Sequence, residues 1–186
     1  MKKIIIVGAF HETVELCELC NYEIIGIIDG GLTGEFMGYP ILGSDKDTAT
    51  LYAAHKDCLL VISPDSSRVK RKLANLYTNI GFDFATVISP KANISRTATI
   101  GKGVVIQSGV NISSSAIIGD FCKLNFNCNI MHDVTIDVFS IIAPNAVILG
   151  RVHIGSDVYI GANSTVMSDV AVSDNSKVSP ASFISE

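Results

Sequence analysis

Long runs of Lys or Arg are lacking, the densest cluster being Arg68-Val69-Lys70-Arg71-Lys72, and the formal net charge is −4. Phosphate backbones are bound by extended clusters of cations, so this balance argues against nucleic acid as the main partner. No apolar stretch reaches the ~20 residues that cross a bilayer, so no membrane insertion is expected. The opening run from Lys3 to Gly8 is too short for a secretory leader and lacks a cleavage site. Charged residues make up only 17% against 48% hydrophobic, which fits a well-buried globular chain. The five cysteines (Cys17, Cys20, Cys58, Cys122, Cys128) are an odd count without a disulfide framework, which points to a reducing cytoplasm. No His, Cys and carboxylate cluster has metal-ligand spacing, so no metal is expected.

Glycine is short at the one turn where a nucleotide fold needs it most. Residues 3–8 read as a buried parallel strand, and Val14, Leu16, Cys17 and Leu19 give residues 11–20 helical spacing. Residues 23–29 read as a second strand that ends in Asp29, about 20 residues past Gly8. This β-α-β order is Rossmann-like. The turn reads Gly8-Ala9-Phe10-His11, however, not the three-glycine fingerprint, which argues against a nicotinamide site. His11 falls at the strand–helix turn, where ligands of this fold bind. Further on, residues 46–55 and 68–79 have helical character, and Ser66 or Ser67 is placed to cap the second of these. Residues 58–63 and 84–88 read as strands. The expected domains are 1–83, Rossmann-like, and 84–186.

The second domain has a fixed period. From Ile88 in steps of six to Ile184, every stop is aliphatic. Four residues after each stop sits a small or slim side chain, such as Ala92, Cys122, Cys128 or Ser140. Two phased columns over so many repeats mark a parallel β-helix. Each hexad is a short strand plus a corner, and three hexads close a coil of 18 residues. The residue three after each aliphatic is often Gly, Asn or Asp, types that tolerate left-handed backbone at a tight corner. Residues 18 apart then stack, so Asn93, Asn111 and Asn129 are expected to form a hydrogen-bonded ladder. The inward columns account for Cys122 and Cys128 as packing.

His132 stands out. It sits at a corner, and its stacked column reads Ser114, His132, Gly150, Ser168. A His beside an approachable backbone amide suits a base plus carbonyl clamp for acyl transfer. Asp133 is placed either to orient the imidazole or simply to make the turn. Arg151, one coil along, is expected to compete for the Asp133 carboxylate. His55 and His153 are expected to be solvated.

Over nearly its whole length the chain resembles the left-handed β-helix acyltransferases of the sialic acid O-acetyltransferase and bacillosamine N-acetyltransferase type. The resemblance rests on Ile6-Val7-Gly8-Ala9, His11, Ile28-Asp29 and Gly38-Tyr39-Pro40-Ile41-Leu42-Gly43. It continues through Val87-Ile88-Ser89-Pro90, Asn125, Met131-His132-Asp133, Ala143-Pro144, Gly150 and Ile154-Gly155. It implies a left-handed coil, although the usual crossover rule predicts the opposite hand. It implies an acetyl-CoA-dependent sugar acetyltransferase, working as a homotrimer on a nucleotide-linked or surface-polysaccharide sugar. His132 matches the general base and Asp133 its orienting acid. Gly150, Ile141 and Asn125 fall along the coenzyme A groove, and Gly8, His11 and Asp29 at the nucleotide. Members that acetylate amino sugars carry a second His where this chain has Ile141, and often Gly where it has Asp137. The family's basic tail is absent from the final residues. The alternative is a catalytically impaired nucleotide-sugar-binding or assembly protein on the same scaffold.

Overall fold

A computed structural model describes residues 2–186. The chain forms two compact units, one ending at Val87 and the other running from Ile88 to Glu186. The expected boundary near Asp83 lies a few residues earlier. Residues 84–87 stay with the first unit because Phe84 bridges Leu60 in parallel and the Ala85 N–H donates to the Leu60 carbonyl at 2.9 Å.

The first unit is α/β. Its strands are β1 (Lys3–Val7), β2 (Glu23–Ile28), β3 (Glu35–Phe36), β4 (Tyr39–Gly43) and β5 (Leu59–Ile62). They order as β3-β4-β2-β1-β5, parallel except for the antiparallel β3–β4 edge. Ile4, Ile5 and Ile6 are wholly buried, as a central parallel strand demands. Helix α1 (His11–Leu19) buries Val14, Leu16 and Cys17. Helix α2 spans Thr48–His55. Helix α3 (Ser67–Ile80) is capped by Ser66, whose hydroxyl accepts the Val69 N–H at 3.4 Å. It stops at Gly81, which takes a left-handed φ of 110°.

The second unit is the β-helix that the six-residue period predicts. Seventeen two-residue strands run from β6 (Val87–Ile88), which straddles the boundary between the units, to β22 (Phe183–Ile184). They stack into three parallel walls, and partners in each ladder are 18 residues apart. Both inward columns form one continuous core, with Ile106, Leu124, Ile136, Ile142 and Ile154 fully buried. Each such side chain contributes about 1.5–3 kcal/mol relative to exposure. Cys122 and Cys128 are buried in the slim column, and Ser140 joins them because its hydroxyl donates to the Gly155 carbonyl at 2.7 Å.

The corners are left-handed, as expected at Asn127, Asp133, Asn145, Asp157, Asn163, Asp169 and Asn175, whose φ values lie between 57° and 67°. Ser115, Phe121, Phe139, Arg151 and Ala181 adopt the same angle without the usual residue type. A left-handed residue of this kind costs about 1–2 kcal/mol. Phe121 and Phe139 recover part of it by stacking on one another, 4.9 Å apart and 9° from parallel. The asparagine ladder is present: Asn93 donates to Asn111, and Asn111 to Asn129, each at 3.0 Å.

Candidate functional site

His132 and Asp133 lie at a corner of the β-helix, just after the strand Asn129–Ile130. Asp133 turns left-handed with φ 58°, and its carboxylate faces back to the preceding ring. His132 Nδ1 lies 2.8 Å from Asp133 Oδ2. A carboxylate at Nδ1 holds the proton there and leaves Nε2 as the free acceptor. Both side chains are about half exposed, at 45% and 55%, so the pair is open to a substrate.

Gly150 lies one coil on. A Cβ at that position would stand 2.7 Å from both Cε1 and Nε2 of His132. Glycine therefore leaves the space in which the imidazole rests. The Arg151 N–H donates to the His132 carbonyl at 3.0 Å, and the Asp169 N–H to the Gly150 carbonyl at 3.2 Å, fixing this corner coil upon coil. An open groove of about 790 Å³ runs beside it along the asparagine ladder, lined by Asn93, Asn111, Ser113, Ser114 and Met131.

Two sequence readings of this region change. Arg151 does not take the Asp133 carboxylate. Its Nε and Nη2 donate to the two oxygens of Asp169 at 2.7 and 2.8 Å, one coil the other way. His153 is not merely solvated: its Nε2 lies 2.9 Å from Asp137 Oδ2. The remaining coenzyme A candidates lie apart from His132. Ile141 is 2% exposed, in the wall strand between Lys123–Leu124 and Tyr159–Ile160. Asn125 is also buried and donates to the Ile142 carbonyl at 3.1 Å.

In the first unit, a cleft of about 620 Å³ opens at the C-terminal ends of β1 and β2, where open α/β sheets bind ligands. Gly8, Phe10, Asp29, Lys46, Lys72 and Leu76 are among its lining residues. Gly8 suits glycine, because it holds φ 92°, where a side chain is strained, and a Cβ would crowd Pro64 at 3.1 Å. Asp29 ties the cleft's two loops together: it accepts the Ala9 N–H at 3.0 Å and the Gly31 N–H at 2.9 Å. His11 is not among the lining residues; its ring meets Phe36 edge-on at 4.6 Å. Sequence reading missed Lys46 and Lys72, whose only signal is a pair of cations in two separate helical segments.

Among the described residues no His, Cys and carboxylate group is arranged to hold a metal, and no helix is long and apolar enough to cross a membrane. The cysteines are all free thiols. Burial, with help from Cys20 and Glu18, pushes the Cys17 thiol up to about 12, and burial does the same for Cys128. Both therefore stay protonated at neutral pH and are poor nucleophiles. In an Ellman titration of the native protein, half-buried Cys20 is expected to react first. Cys17 and Cys128 should react only after guanidinium unfolding, and fast native labelling of either would contradict the packing described here.

The fold belongs to a class of proteins that join an α/β unit to a left-handed β-helix. A GDP-perosamine N-acetyltransferase variant from Caulobacter crescentus, in complex with CoA and GDP-perosamine, matches 100% of this chain and 90% of its own, with a TM-score of 0.94 at 22% identity. The acetyltransferase domain of PglB from Neisseria gonorrhoeae FA1090 covers 100% of this chain and 92% of its own, with a TM-score of 0.89 at 22% identity. WeeI from Acinetobacter baumannii AYE covers 95% and 94%, with a TM-score of 0.69 at 24% identity. No protein-family model and no curated protein matches by sequence.

Proposed function

We propose that this chain is an acetyl-CoA-dependent acetyltransferase acting on an amine or hydroxyl of a nucleotide-linked sugar. The observation that carries it is the His132–Asp133 pair at 2.8 Å, with its second ring nitrogen resting against Gly150. The likeness to sugar acetyltransferases in complex with CoA, acetyl coenzyme A and GDP-perosamine supports the same reading.

In this mechanism Nε2 of His132 takes the proton from the sugar amine or hydroxyl as that atom attacks the thioester carbonyl carbon. Asp133 stabilises the imidazolium that forms. The Gly150 N–H donates to the carbonyl oxygen as it gains negative charge. The C–S bond then breaks, and the imidazolium proton goes to the departing thiolate. Transfer is direct, which agrees with the lack of an accessible cysteine in the β-helix: Cys122 and Cys128 are buried in its core.

The cleft of the first unit is the candidate nucleotide site, with Lys46 and Lys72 as counter-charges for phosphate and Gly8 and Asp29 shaping its floor. Gly150, Ile141 and Asn125 remain the candidates for the coenzyme A side of the site. The chain is proposed to work as a homotrimer in the cytoplasm. Exposed Ile117, Phe126 and Met131 support association, and the free cysteines support a reducing compartment.

The test is thiol release from acetyl-CoA in the presence of a panel of nucleotide amino sugars and sialic acids. Release that depends on one acceptor is the expected result. A folded protein that releases no thiol with any acceptor, and shows no coenzyme A binding by calorimetry at millimolar concentration, would instead be a nucleotide-sugar-binding or assembly protein. The buried Ile141, standing where a second histidine is expected, is the observation that favours this second reading.

A further inference from the structure

Three charged side chains occupy one stacked corner column: Asp133, Arg151 and Asp169. They share left-handed backbone, with φ of 58°, 60° and 67°. Arg151 is 18 residues from each carboxylate, so it stands one coil, ~4.8 Å of stacking distance, from both. Nothing in the spacing favours one over the other. The structure chooses Asp169, through two parallel N–H···O bonds at 2.7 and 2.8 Å. Asp133 is thereby left to His132.

We infer that Asp169 is a positioning residue for the His132–Asp133 pair: by holding Arg151 in a two-point bond, it keeps the guanidinium off the Asp133 carboxylate.

The chemistry supports a competition. A guanidinium binds carboxylate with a planar fork of two charge-assisted N–H···O bonds against the one bond of a ring N–H, so it competes for the same oxygens. Arg151 already feels both acids, because its charged form is stabilised first by Asp169 and more weakly by Asp133. The carboxyl of Asp169 is lowered, chiefly by its hydrogen bonds from Arg151. The pair is exposed, at 54% and 62%, so neither side chain is locked by packing and the guanidinium is free to rotate to the other coil. The charged groups on this corner stack are Arg96, Asp133, Arg151, Asp169 and, three coils on from His132, Glu186; the other members near the ring, Ser114, Ser115, Gly150 and Ser168, carry none. On the adjoining wall, His153 is paired with Asp137. Among the described residues, Arg151 is therefore the only cation one coil from Asp133 along this corner.

This inference rests on His132 acting as the base, and the experiment separates the two. The variants are Asp169→Gly, Arg151→Gly and the double variant, since glycine suits the left-handed corner. Asp169→Asn serves as a milder second version. Ring 15N shifts of His132 report which nitrogen carries the proton, with or without turnover. Asp169→Gly is expected to weaken the Nδ1–H preference and to lower transfer by about 10–10²-fold, the direction seen when an orienting acid is lost. The double variant should regain both the ring signature and most of the rate, and high salt should partly rescue the single variant by screening Arg151. Asp169→Asn should fall between wild type and Asp169→Gly.

An unchanged ring signature in Asp169→Gly, or a double variant no better than the single, would overturn the inference. If the ring signature shifts and recovers while no variant releases thiol, the positioning role stands and the acetyltransferase reading falls.

Discussion

His132→Ala is expected to lower acetyl transfer by about 10²–10⁴-fold, the usual scale for losing a general base. The substitution removes one half-exposed side chain and breaks its single hydrogen bond to Asp133, so the folded state should be unaffected. Thermal melts of the variant and the parent should overlap. Affinity for coenzyme A should also hold, because the Gly150 backbone is untouched. The measurement is single-turnover thiol release at saturating acetyl-CoA. Turnover within a few-fold of the parent would remove His132 from the mechanism, leaving an unassisted attack in which the sugar amine loses its proton to water.

The second large effect comes from a methyl group. Gly150→Ala places a Cβ 2.7 Å from the imidazole, a distance real Cβ atoms do not keep, so the ring must move. A displacement near 1 Å at a reacting group costs on the order of 10²-fold in rate. Stability should change little, because the obstructing atoms belong to an exposed side chain that can swing away. Gly119→Ala makes the contrast. There the new Cβ would meet backbone: the Val138 nitrogen at 2.8 Å and the Asp137 carbonyl carbon at 3.0 Å. Backbone in a stacked coil cannot yield without parting the coils, so a loss of about 1–3 kcal/mol in stability is expected. Denaturant melts and initial rates on the two variants should thus give opposite patterns. A Gly150 variant that melts early and keeps its rate would show that the imidazole does not rest where the structure places it.

How much of this was legible beforehand depends on which distances the period controls. The inward columns and the burial of Cys122 and Cys128 follow from a repeat of six, and the nearness of His132 to Gly150 follows from stacking by 18. Anything off the vertical escapes that counting. His153 and Asp137 are 16 residues apart, so they meet diagonally across two coils and not within one column. Arg151 has a carboxylate on each side at equal separation, and only the packed geometry selects Asp169. Phe121 and Phe139 occupy corners that residue preference assigns to Gly, Asn or Asp, because each ring supplies the other's support. In the first unit, Lys46 and Lys72 come together in one cleft although 26 positions separate them, and no short-range pattern encodes that meeting. The turn of Gly8 was legible as a tight backbone position, but the role of Asp29 as a tie between two loops needed the hydrogen bonds themselves.

The stacked wall has a bearing on how such a chain can change its length. Each coil hands its successor the same three strand addresses, 18 residues further on. Removing a single residue within the β-helix would turn every later aliphatic side chain away from the core until the phase was recovered. Adding a whole coil beyond Asp169 would leave the inward columns in phase and the His132 corner intact. Length in this half of the molecule is quantised: the stack beyond the imidazole can grow in units of one coil, about 4.8 Å at a time, without rebuilding the chemistry.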